Sequence, residues 1–157
     1  MPRRSYKKIT IKPDPVFESH EVAKLINYVM RDGKKSVASR IVYKALDQIK
    51  AKDLNPLETV HKAISNVAPQ FEVKPRRVGG ASYLVPMETR PVRKIFLAFN
   101  WIVNAAQARS NKEFHSFDLK LAAELTEAAA GMGEAVNKKI QVEKLAEQNK
   151  AFAHFKW

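Results

Sequence analysis

The chain has 157 residues, no cysteine, and 28 lysines and arginines against 16 acids, for a formal charge of +12. That length can bury a real core as a single domain, residues 1–157, without metal or disulfide, and it argues against a second domain. The charge exceeds what solubility needs and points to a polyanion; the longest apolar run, residues 95–106, is too short and too interrupted by Asn100 and Asn104 to span a bilayer.

Residues 1–15 carry Arg3, Arg4, Lys7, Lys8 and Lys12 among prolines 2, 13 and 15, and read as a basic tail that a partner orders. No apolar stretch follows these cations, so the segment is not a secretory signal, and the lack of cysteine fits an intracellular setting. From Val22 the apolar residues Leu25, Ile26, Val29 and Met30 recur at helical spacing, with Asp32-Gly33 as the stop and Gly33 as the cap. A second helix follows Lys34, Lys35 and Ser36 on Val37, Ile41, Val42, Ala45 and Ile49, with Arg40 and Lys44 on its basic side. Asn55-Pro56-Leu57-Glu58 is a strong start signal for a third helix, with Val60, Ile64 and Val67 as its stripe, ending before Pro69.

The period then changes to that of strands. Residues 71–78 and 81–87 flank Gly79-Gly80, and a two-residue turn that needs positive φ sets Arg76 opposite Tyr83, Lys74 opposite Val85 and Arg77 opposite Ser82. Arg76 and Tyr83 are therefore candidates for a cation–π pair or a joint contact to a base. Pro75 and Pro86 keep other strands from joining, so residues 71–88 read as a two-stranded β-hairpin arm that projects from the helices and is steadied by its partner. A fourth helix begins at Pro91 on the stripe Val92, Ile95, Phe99, Ile102 and Ala106, with Arg93, Asn100, Asn104 and Gln107 on its polar face; as the most apolar helix it is expected at the centre. Ser116 caps a fifth, with Leu121, Ala122, Leu125 and Ala129. Gly131 and Gly133 precede a sixth built on Val142, Leu145 and Ala146. The fold class is mainly α: a bundle of about six helices with a projecting hairpin.

The cations are unevenly placed. Lys74, Arg76, Arg77, Arg90, Arg93, Lys94, Arg109 and Lys112 face one acid, Glu88, across residues 74–112. A contiguous basic surface of this kind neutralises phosphates and releases counterions, whereas scattered charge only solubilises. Arginine suits gripping a phosphate or stacking on a base, which favours Arg76, Arg77, Arg90 and Arg93; Lys138 and Lys139 are as readily solvated cations of a helix surface. Residues 149–157 interleave Phe152, Phe155 and Trp157 with cations, a pattern for stacking on bases that equally describes a terminal staple against the bundle. No cofactor, metal or catalytic group is expected. His20, His61, His115 and His154 are scattered, and residues 32–35 lack the first glycine and final hydroxyl of a phosphate loop. Glu143 and Glu147 read as members of an ion-pair face with Lys139 and Lys144.

Residues 30–36 (MRDGKKS), 76–86 (RRVGGASYLVP), 90–94 (RPVRK), 101–103 (WIV) and 149–157 (NKAFAHFKW), in that order, resemble ribosomal protein seven of the small subunit in its bacterial or organellar form, nearly end to end. The resemblance implies an RNA-binding ribosomal protein, not an enzyme. It implies a helical bundle with a hairpin arm that binds the 3′ major domain of small-subunit ribosomal RNA, starts head assembly, and lies near exit-site transfer RNA and messenger. It further implies RNA contacts from the N-terminal tail, from Lys34 and Lys35 and from Arg76 and Arg77, and neighbouring proteins that include protein eleven of the same subunit. Its setting is the cytoplasmic ribosome or an organellar one. Ala68 and Ile140 stand where that family has a basic residue and Leu84 where it often has glutamine, and with the chain ending at Trp157 no role of a longer tail is expected. The alternative from the residues alone is an architectural DNA binder that inserts a basic, proline-bearing arm into a minor groove.

The RNA affinity should fall steeply with salt. With about 6–10 phosphates contacted, the drop between 50 and 200 mM is about 10³–10⁵, measurable by filter binding.

Overall fold

A computed structural model describes residues 11–155. Among them lie six α-helices, α1 His20–Val29, α2 Lys35–Lys50, α3 Pro56–Val67, α4 Pro91–Ala108, α5 Phe117–Ala129 and α6 Glu134–Gln148. The strands β1 Phe71–Val78 and β2 Ala81–Glu88 separate α3 from α4, and a 3₁₀ helix, Lys150–Phe155, follows α6.

Local chemistry explains most boundaries. The Ser19 hydroxyl accepts from the amides of Glu21 and Val22 at the start of α1, and the Asn55 side chain accepts from Leu57 at 3.1 Å ahead of Pro56, each satisfying an orphan amide of the first turn. Ala68 is extended because Pro69 follows it. α1 stops at Val29 with Met30 extended, so Gly33 is not its cap; it lies in the turn that leads into α2, where its carbonyl accepts from Lys35 at 2.8 Å.

The core is formed by α1 to α5 and the start of α6. α4 was expected at its centre, yet the most extensive packing belongs to α5, which touches α2, α3, α4 and α6. Its buried face of Leu121, Ala122, Leu125 and Ala128 is narrow enough for neighbours to approach closely. Two stripes shift from their expected places. Val92 is 75% exposed, and the helix reaches the core only from its second turn on, through Leu97, Ala98, Phe99, Ile102, Val103 and Ala106. On α6, Ala135, Val136 and Ala146 are buried while Val142 is half-buried and Leu145 exposed, since the helix rests on α4 and β1 through its short side chains.

Arg109, expected on the RNA-facing surface, is drawn inward. Its guanidinium donates to the carboxylates of Glu124, which is fully buried, and Glu127, and together they raise its pKa. The other oxygen of Glu124 accepts from the Ala135 amide at 3.0 Å, so one carboxylate ties the end of α4 to α5 and to the start of α6. Gly133 has φ +93°, and a Cβ there would come within 3.1 Å of the same carboxylate. Buried Lys120 donates to the Arg109 carbonyl and to Asn111, pinning the loop between α4 and α5.

Residues 11–15 are held more firmly than a tail. Asp14 is buried, accepts from the amides of Val16 and Phe17 at 3.1 Å, and receives the Tyr43 hydroxyl at 2.7 Å. Burial, then the adjoining carboxylate, pushes the Tyr43 phenol up to about 12.

Leu125, 1% exposed in the middle of α5, tests the core. Leu125→Ala should lower unfolding free energy by about 2–5 kcal/mol in a urea titration.

Candidate nucleic-acid interface

The hairpin has the expected register. Val78 pairs with Ala81, Arg77 with Ser82, Arg76 with Tyr83 and Lys74 with Val85, around Gly79 (φ +57°) and Gly80 (φ +90°). Two consecutive positive φ values define the hairpin turn that matches strand twist, which glycine adopts without strain. Side chains alternate along a strand, so neighbours Arg76 and Arg77 present charge on opposite faces of the arm, about 20 Å from its root at six residues of ~3.3 Å each.

The root is held from within the chain. Val85 is fully buried, β1 and β2 rest on α6, and the 3₁₀ helix lies along β2. Tyr83, expected to face a base, packs its ring 5.1 Å from Phe152 and 5.4 Å from Phe155. Those C-terminal rings therefore act as a staple, but on the arm rather than the bundle, because Tyr83 offers them the apolar partner. Glu143 accepts from the Gln70 amide at 2.8 Å instead of joining an ion-pair face, and Lys94 donates to the Gln70 side chain at 2.6 Å.

Glu72 fixes the arm to α4. Its carboxylate takes Lys74 and the Nε of Arg93, each at 3.2 Å. Burial alone would raise its pKa, but the hydrogen bonds and charges of Lys74 and Arg93 outweigh that and lower it. Sequence reading missed this residue, although a lone acid at the start of so basic a strand was the available signal.

From the root, a polar stripe follows α4 at helical spacing through Arg93, Asn100, Asn104 and Gln107. Gln107 accepts from Arg31 at 3.0 Å, which brings the turn before α2, with exposed Lys34 and Lys35, to the far end of a helix ~27 Å long. The contact joins residues 76 positions apart, and no local pattern announces it. Arg77, Arg90, Arg93 and Lys138 are exposed, Arg76 and Lys74 half-buried, and Lys139 donates to the Asn66 carbonyl at 3.0 Å near the end of α3. Arg3, Arg4, Lys7, Lys8 and Trp157 lie outside the described residues. Among the described residues no helix is long and apolar enough to cross a membrane, and no cluster of metal-ligating side chains is present.

The family model for ribosomal protein S7p/S5e matches residues 1–150. The chain belongs to that family. Small ribosomal subunit protein uS7 of Bordetella petrii is 53% identical over 99% of this chain and 98% of its own length. The uS7 of Carboxydothermus hydrogenoformans is 52% identical with full coverage of both, and that of Francisella philomiragia is 53% identical over 96% of this chain. As an S7p/S5e family member the chain is a structural component of the small ribosomal subunit and RNA-binding, not an enzyme.

Glu72 gives this interface a pH signature. A carboxyl lowered from its ordinary 4.5 contributes stability that is complete above that value and is lost as pH falls through its folded value. Glu72→Gln should cost about 1 kcal/mol at pH 7, the size expected after solvent screens two half-exposed cations, and the gap from the unsubstituted protein in urea melts should close below pH 4.5.

Proposed function

We propose that the protein binds the 3′ major domain of small-subunit ribosomal RNA in a cytoplasmic ribosome, begins assembly of the head there, and holds its arm toward exit-site transfer RNA and messenger. The observation that supports this reading is a polar stripe along α4 with cations at both ends, Arg90, Arg93 and Lys94 at one and Arg31, Lys34 and Lys35 at the other. In this reading the arm, the first turn of α4, its polar stripe and the turn at Lys34 and Lys35 serve as one track, which suits several RNA helices meeting at a junction better than a single groove. Phosphate contacts come from Lys34, Lys35, Arg76, Arg77, Arg90, Arg93 and Lys138, with Lys74 and Lys94 behind them, and Arg3, Arg4, Lys7 and Lys8 add further cations to the proposed set. Specificity rests on RNA shape, because the deep groove of A-form RNA is closed to side chains.

Protein neighbours fit a different surface. Phe71, Pro86, Ala146 and Ala153 line a groove of about 500 Å³ between the arm root and α6, whose charged lining is Glu88, Glu143 and Glu147 with one cation, Lys150. An apolar groove with an acidic rim on so basic a chain suits a basic neighbour such as protein eleven of the same subunit.

Filter binding against a 3′ major domain transcript, with transfer RNA and duplex DNA as competitors, tests the reading. Tight, competitor-resistant binding is expected, and equal affinity for all three polyanions would overturn it. Arg76→Ala with Arg77→Ala should weaken binding and reduce the salt slope by about two while circular dichroism stays unchanged.

A further inference from the structure

Phe96 keeps much of its aromatic ring in solvent on the surface that carries Arg90 and Arg93. It lies in the second turn of α4, 40% exposed, one turn beyond Val92, the most exposed large apolar side chain described. The Arg93 guanidinium sits over its ring at 4.9 Å from the centroid. Arg93 is fixed at its Nε by Glu72, so the guanidinium plane is held in place before any ligand arrives. From behind, Tyr28 meets the Phe96 ring edge-on at 5.9 Å and 67° and itself stacks on buried Phe99 at 5.2 Å and 16°. The exposed ring is thus braced by the core rather than loosely attached.

We infer that Phe96 and the Arg93 guanidinium form a stacking shelf for an unpaired nucleobase of the bound RNA, with Arg90 taking the adjoining phosphate. The inference rests on the RNA-binding reading and adds a base-contacting site to it. Unpaired RNA bases are taken up by stacking on aromatic rings and on arginine planes, and here one of each is superposed. The charge around the shelf fits an anion. Arg90 is the N-cap residue of α4, Arg93 and Lys94 lie in its first turn, and the nearby carboxylate of Glu72 is already shared by two cations. A guanidinium held by its Nε against a ring also forfeits little side-chain freedom on binding, which favours stacking.

The test uses the full chain with Phe96→Ala, Phe96→Leu and Phe96→Trp, each checked for an unchanged unfolding midpoint. Two probes are titrated: the 3′ major domain transcript, and a single-stranded oligoadenylate with a central 2-aminopurine whose fluorescence is quenched by stacking. The alanine and leucine variants should bind the transcript about 5- to 150-fold more weakly at an unchanged salt slope and lose the quenching, while tryptophan retains both. Leucine or alanine variants that bind and quench as the unsubstituted protein does would overturn the shelf. If transcript selectivity is absent but Phe96-dependent quenching persists, the ribosomal-domain reading fails and the shelf stands; selective binding indifferent to all three substitutions sinks the shelf alone.

Discussion

A two-stranded hairpin has too little surface to hold itself in a fixed direction, and here that constraint is met by one carboxylate. Glu72, buried at the start of β1, draws Lys74 of its own strand and Arg93 of α4 onto itself. The ion cluster ties the arm to α4, holds Arg93 beside Phe96 and leaves no unpaired negative charge at the root, while α6 and the 3₁₀ helix pack along the strands. Val85 beneath it and the rings of Phe152 and Phe155 against Tyr83 complete the attachment. The arm reaches its partner already oriented.

The same economy divides the cations. Some are consumed internally: Arg109 by Glu124 and Glu127, Lys120 by backbone and Asn111, Lys139 by the Asn66 carbonyl. These order the joints between α4, α5 and α6 and between α6 and the end of α3. Exposed cations remain along the arm, at the start of α4 and in the turn before α2, and also on other surfaces, among them Arg40 and Lys44 of α2 and Lys112; the first group is the one the proposed RNA contact uses. Three acids, Glu88, Glu143 and Glu147, gather around a groove on the α6 side, with Lys150 the one cation lining it. A chain with one strongly basic face and one acid-rimmed apolar groove is suited to sit between RNA and protein.

Much of this was legible from the residues alone, and for physical reasons. Asn55-Pro56 starts a helix and Pro69 ends it through backbone chemistry that needs no distant partner. Gly79-Gly80 fixes the hairpin register because a two-residue turn leaves no choice of pairing, and the six helices follow from apolar spacing. The basic stretch from Lys74 to Arg93 needed only charge and order. What such reading could not separate was a surface cation from an internal one: Arg109 and Arg93 have the same chemistry, and their surroundings differ.

By itself, then, the sequence determined the elements, the hairpin register and the polyanionic character of the partner, because each depends on neighbours a few residues away. Tertiary structure alone decided which charges stay on the surface, where Tyr83 and the rings of Phe152 and Phe155 go, and that α5 carries the most extensive packing. Those outcomes depend on contacts such as Arg31 to Gln107 and Arg93 to Glu72, whose partners are distant along the chain and meet only when the helices pack.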